Sequence, residues 1–170
     1  MLWARADIPP ANSFEEEVSK VISKFPVSVE VIYTSPLKRC KALSQRLATE
    51  FDIPLIDDPG LMELNFGQWE MKKWNDIDPV LLQHWMDDFV HVKCPEGESY
   101  SELFSRVTIF IHKVTATNAK SVAVISHAGI IRAIHSFFNK ISLVDSMNIP
   151  VAFGEIFAFQ WKGGAKTPLP

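Results

Sequence analysis

Apolar residues recur along this chain at two periods, and the switches between the periods mark out its elements. Val18, Val21, Ile22 and Phe25 repeat at helical spacing behind the capping-box pair Ser13 and Glu16, which predicts a helix over 14–25 with an acidic first turn. β-branched residues then crowd into VEVIYT, residues 29–34, until Ser35-Pro36 stops the run with an N-cap residue and a proline suited to the first helical position. A strand therefore feeds directly into a helix, expected to reach residue 51 with Cys40, Leu43, Leu47 and Phe51 on its buried stripe. A short strand is expected near 54–56. Between Gly60 and Gly97 the pattern loosens, although Asp78-Pro79 opens a helix carrying Leu82, Trp85, Met86 and Phe89; residues 60–98 read as a cap-like insertion.

Ser99 and Glu102 form a second capping-box pair, ahead of the helical stripe Leu103, Phe104, Val107, Phe110, Ile111 and Val114. The run SVAVIS, residues 121–126, is almost continuously apolar, as expected of a strand covered on both faces, and Gly129 releases a helix through Ile131, Ile134 and Phe138. A last strand is expected over 155–161. Strands alternating with helices predict an α/β domain of three layers, with helices on both faces of a mostly parallel sheet, in a single domain over 1–170.

Composition narrows the function classes. The chain of 170 residues is 47% hydrophobic and 22% charged with a formal net charge of -3, and its basic residues are scattered, which argues against a nucleic-acid surface. No apolar run approaches the roughly 18 residues of a membrane span, and Arg5, Asp7 and two prolines stand where a signal peptide needs an apolar core. A soluble, cytoplasmic protein is expected. Cys40 and Cys94 have no metal-ligand partner at CxxC or CxxH spacing and read as reduced thiols, and no cofactor is expected.

Ligands of parallel sheets collect beyond the carboxyl ends of strands, where helix N-termini offer free N–H groups. Two segments meet that rule. Thr34-Ser35-Pro36-Leu37-Lys38-Arg39 ends a strand and sets a guanidinium in the first turn of the next helix, where Arg39 could grip a phosphate bidentately. Ser126-His127-Ala128-Gly129 brings an imidazole just past the buried strand, among small residues, so His127 could donate to a phosphoryl oxygen. Between them lies LMELNFGQWE, residues 61–70, in which Glu63 has apolar neighbours that would lift a carboxyl toward the range of a general acid. Taken singly, each has a plainer reading: a solvated helix arginine, a structural histidine, an exposed loop acid. Trp69, Trp74, Trp85 and Trp161 read as core rather than as a substrate platform.

In order, SPLKR, LMELNFGQWE, PEGES and SHAGIIR resemble the motifs of the histidine phosphatase (phosphoglycerate mutase-like) superfamily, and the front end LWARADIPPANSFEEE is similar to that of the cobalamin-pathway α-ribazole phosphatases. The resemblance implies a phosphohistidine mechanism without metal: Arg39 as a phosphate-binding arginine, His127 as the second histidine, both on the phosphoryl group, and Glu63 as the proton donor. It also implies a small-molecule phosphate monoester as partner, and a homodimer is compatible with it. Two positions depart from the family. No Arg-His pair exists in the sequence, so the nucleophilic histidine and the central strand that carries it are missing, and Met71 stands where the family often has glycine. His84, His91, His112 and His135 fall in helical or cap segments. The expectation is a longer native protein, with this chain inactive by itself and its 121–126 strand left with an unpaired edge open to aggregation or to another chain. The alternatives are a non-catalytic relative that binds a phosphate ligand or a protein, and a mutase-type phosphotransferase.

Overall fold

The computed structural model describes residues 2, 4–9 and 12–161. Val31–Thr34 (β1) is the middle of a three-stranded parallel sheet, flanked by Leu55–Asp57 (β2) and Val122–Ile125 (β3). Thr34 lies opposite both Asp57 and Ile125, so the three strands end level. Phe14–Ile22 (α1) and Lys38–Phe51 (α2) cover one face, where Val21, Phe25 and Leu47 pack with Ile32 and Ala123. Pro79–Asp87 (α3) lies outside these layers, while Tyr100–Thr115 (α4) and Ala128–Asn139 (α5) cover the other face through Leu103, Val107, Phe110 and Ile130. A short helix, Leu143–Ser146 (α6), follows. The three-layer α/β arrangement is the one the sequence pattern predicts.

Local chemistry explains where the helices begin. Ser99 accepts from the Glu102 N–H while Glu102 accepts from the Ser99 N–H, a complete capping box, and the Asp78 carboxylate accepts from the N–H groups of Val80 and Leu81 with proline at the first position. The other two expected caps do not form. Ser13 makes no cap bond, because its hydroxyl donates to Glu17 while Glu16 pairs with Lys20, and α1 ends at Ile22 rather than at residue 25. Ser35 lies two residues ahead of the N-cap Leu37, and its hydroxyl is engaged by a histidine described below.

Residues 60–98 fold as three single 3₁₀ turns and α3 around a satellite core of Leu2, Trp69, Ile77 and Cys94. Met71 there has φ of 65°, the left-handed region that glycine occupies without strain. Two expectations on the other edge of the sheet fail for one reason. β3 is only half-buried rather than covered on both faces, and residues 155–161 make no ladder bonds. Among the described residues β3 pairs with β1 alone, and a cavity of about 860 Å³ separates its free edge from the 151–161 segment, so neither has the neighbour a strand requires.

Candidate active site

The level strand ends bring β1 and β3 to one rim, and the residues that follow them meet there. Ser35, fully buried, donates its N–H to the Ile125 carbonyl at 3.0 Å, which locks the two tips together. His127, 7% exposed, is the N-cap of α5; from the first turn of α2, Arg39 donates from Nε to His127 Nδ1 at 3.2 Å. That donation fixes the tautomer: Nδ1 accepts, so Nε2 carries the proton and donates to Ser35 Oγ at 2.8 Å. Burial, reinforced by the Arg39 and Arg106 guanidiniums, holds His127 down at about 3, well below the usual histidine range. Its imidazole is neutral near pH 7. Cys40 Sγ lies 3.5 Å from Nε2, a buried thiol pushed up to about 12 by desolvation and hence a packing partner rather than a thiolate.

Arg39 is doubly committed. Its NH1 donates to the Ala6 carbonyl at 3.1 Å and its NH2 to the Ala4 carbonyl, so the fork that could hold a phosphate grips the front segment instead. The same segment is tied down elsewhere: Glu70 accepts from the N–H groups of Arg5 and Ala6, and Asp7 accepts from the Lys38 N–H at the start of α2. That backbone hydrogen bond holds the Asp7 carboxyl below its usual range.

Glu63 reaches the same rim from the loop after the first 3₁₀ turn. Its carboxylate accepts from Gly129 N at 3.2 Å and from Leu64 N at 2.9 Å, so it faces backbone donors at the start of α5 rather than the apolar surroundings its sequence neighbours suggest. A Cβ on residue 129 would fall 2.3 Å from Glu63 Oε1. Glycine is required there for the carboxylate to approach the helix. Arg39, Glu63 and His127 thus line one cavity, the one that continues along the free edge of β3.

Sequence reasoning missed the frame that holds Glu63. Arg5 and Arg106 both donate to the Glu63 carbonyl, at 3.0 and 3.2 Å, and both donate to Glu98, whose other contact is the Asn65 N–H. Arg106 also holds the Gly60 carbonyl, and Ser126 donates to the Leu61 carbonyl at 2.7 Å, so the loop is pinned to α4 on one side and to the tip of β3 on the other. A signal was present in part: Arg106 interrupts the flank of the apolar stripe of α4, and Glu98 belongs to PEGES.

Residues 15–169 match the model of the histidine phosphatase superfamily (branch 1). The chain belongs to the histidine phosphatase superfamily. It is similar to the adenosylcobalamin/alpha-ribazole phosphatase of Escherichia coli K12, 27% identical over 109 residues, covering 62% of this chain and 54% of that protein. It is also similar to phosphoserine phosphatase 1 of Hydrogenobacter thermophilus, 27% identical over 111 residues, 63% of this chain and 53% of that protein. The chain thus spans about half the length of these two relatives. The crystal structure of the alpha-ribazole phosphatase from Shigella flexneri superposes with a TM-score of 0.83 at 21% identity, covering 91% of this chain and 79% of that one, which shows a shared fold. No helix among the described residues is long and apolar enough to cross a membrane.

Proposed function

We propose that this chain carries the greater part of a phosphomonoester hydrolase site, in which Arg39 and His127 hold the phosphoryl group and Glu63 protonates the leaving oxygen. The observation that carries the reading is the 3.2 Å bond between Arg39 and His127 at two strand tips that end level, with the Glu63 carboxylate anchored beside them on α5. An incoming phosphoryl oxygen would compete with the Ala4 and Ala6 carbonyls for the Arg39 fork and take up the Nε2 proton of His127 as a hydrogen bond in place of Ser35.

In the family's reaction an imidazole attacks phosphorus, the ester P–O bond breaks, and the acid, here Glu63, gives its proton to the departing alkoxide. Water then attacks the phosphohistidine, which releases phosphate and restores the imidazole. His84 lies on α3, His91 in the loop before α4, His112 on α4 and His135 on α5, so no second imidazole follows a strand tip among the described residues. On this reading the 170 residues alone are expected to bind phosphate esters without turning them over. The substrate favoured is α-ribazole phosphate, supported by the front-end resemblance and by relatives named for that activity; phosphoserine, from another relative's name, is the competitor.

A second reading, a relative that binds phosphorylated ligands without hydrolysing them, is favoured by the same missing imidazole. Titration calorimetry with inorganic phosphate on this chain, followed by a panel of phosphomonoesters on a variant to which a histidine-bearing strand is added, separates the possibilities. Binding that disappears in Arg39→Ala supports the phosphoryl site; turnover by the extended variant supports the hydrolase, and binding without turnover supports the second reading. Absence of any phosphate binding by the unaltered chain would reject both.

A further inference from the structure

The sequence has five arginines, and three of them pair with carboxylates: Arg5 and Arg106 with Glu98, and Arg46 with Glu15. The two that do not, Arg39 and Arg132, line the same cavity. The phosphoryl seat gives Arg39 its task, and Arg132 has none there. It is half-buried on α5, where its Nε donates to the Ile149 carbonyl at 3.0 Å and so holds the guanidinium in one orientation. Among the described residues its NH1 and NH2 have no hydrogen-bond partner, and no carboxylate lies within salt-bridge distance of them. A charge drawn partly out of water without a counter-ion is costly, so a guanidinium kept in this way at a cavity wall fits an anion supplied from outside.

The position of Arg132 relative to the acid decides which part of a substrate it meets. His127 is the N-cap of α5, Gly129 and Arg132 follow within its first turns, and Gly129 N holds the Glu63 carboxylate at 3.2 Å. Residues three apart on a helix share a face, and helical side chains tilt back toward the N-terminus. The Arg132 side chain therefore leans toward the turn that holds Glu63. Tyr100 lies beside both: its hydroxyl donates to the Gly129 carbonyl at 3.4 Å and meets the Ser146 hydroxyl at 3.1 Å. Burial lifts the Tyr100 phenol above its usual range, with the Ser146 hydroxyl and the Arg132 charge opposing the rise and the Glu63 charge adding to it, so both charges stand close to one hydroxyl. Along α5 the order is thus imidazole, carboxylate, guanidinium, over about 7.5 Å of helix axis. With phosphorus at His127 and the ester oxygen at Glu63, the guanidinium faces the far end of the leaving alcohol.

We propose that Arg132 selects the leaving group, pairing bidentately through NH1 and NH2 with a carboxylate carried on the alcohol portion of the ester, a few atoms beyond the oxygen that Glu63 protonates. This role presupposes the phosphoryl seat proposed above and assigns the next part of the substrate. α-Ribazole phosphate offers the guanidinium only neutral oxygens, so the two substrates weighed above are expected to depend on this residue to different degrees.

Titration calorimetry on this chain compares two esters of equal length, propyl phosphate and the phosphate ester of β-hydroxypropionate, which differ by a terminal carboxylate. The acid is expected to bind at least about tenfold more tightly. Arg132→Gln keeps a nitrogen at the Nε position for the Ile149 carbonyl and removes the fork, and should bring the ratio of the two dissociation constants to about one. Arg132→Lys, charged but without the fork, should keep only part of the gain. In the unaltered chain the side-chain nitrogen resonances of Arg132 should move with the acid and stay in place with propyl phosphate, a reading independent of how the variants fold. A ratio near one in the unaltered chain, or a ratio that survives Arg132→Gln, overturns the assignment while leaving the phosphoryl seat intact. Binding of neither ester rejects the seat itself and the role of Arg132 with it.

Discussion

Gly129→Ala places a methyl group where the Glu63 carboxylate now lies, 2.3 Å from Oε1, far inside van der Waals contact. The neighbour is a short side chain fixed by two backbone N–H groups, so it gives way only by abandoning the Gly129 N–H bond at 3.2 Å. A hydrogen bond to a charged group is worth about 1.5–3 kcal/mol, while replacing glycine by alanine within a helix returns up to about 1 kcal/mol. The expected net loss is about 1–2 kcal/mol, or a fall in melting temperature of a few degrees for a chain of this size. Urea unfolding of a two-by-two set with Glu63→Ala isolates the cause. With Glu63 truncated the clash vanishes, so Gly129→Ala is expected to change sign and stabilise, giving a coupling of at least about 1.5 kcal/mol between the two sites. Additive effects, or a stabilising Gly129→Ala in the unaltered chain, would refute the close approach of the carboxylate to α5.

Other outcomes follow from the same geometry. His127 is buried and held at about 3, so the unfolded chain takes up a proton below about 6.5 that the folded chain refuses: stability is full above that pH and falls by up to about 1.4 kcal/mol per unit on the way down; a His127→Gln variant should lose that share of the slope in urea unfolding run from pH 7 to 4. Glu98→Gln leaves Arg5 and Arg106 without their shared carboxylate and is expected to cost about 1–3 kcal/mol, seen in thermal unfolding, and to speed exchange at the Leu64 and Asn65 amides. Met71, 52% exposed at φ 65°, should gain about 1 kcal/mol on replacement by glycine. Cys40, 5% exposed with its thiol pushed up to about 12, should react with a disulfide reagent only as fast as the chain opens, which stopped-flow absorbance would follow.

Where the sequence could be read and where it could not has a physical division. Strand-to-helix switches are local, so Arg39 and His127 were legible from SPLKR and SHAG, because level parallel strands force their following residues to one rim. The same logic gave α4 its capping box. Ser35 misled because a hydroxyl can cap a helix or serve another side chain, and only the fold brought His127, 92 positions away, within reach. The frame of Glu63 failed to show for the same reason: Arg5, Glu98 and Arg106 meet over separations of up to 93 residues, which no period encodes. The 155–161 strand has the right alternation, yet a strand is completed by its neighbour, and the edge of β3 that would begin that pairing is open.

The central claim is that the tips of β1 and β3 form a seat for a phosphoryl group. Nitrogen chemical shifts of His127, followed as inorganic phosphate is added at pH 7.5, test it most directly. A seated anion next to the imidazole should move the Nε2 resonance, favour proton uptake by the ring, and lose both effects in Arg39→Ala. A titration that leaves His127 untouched while shifting an exposed imidazole such as His91 would contradict the account.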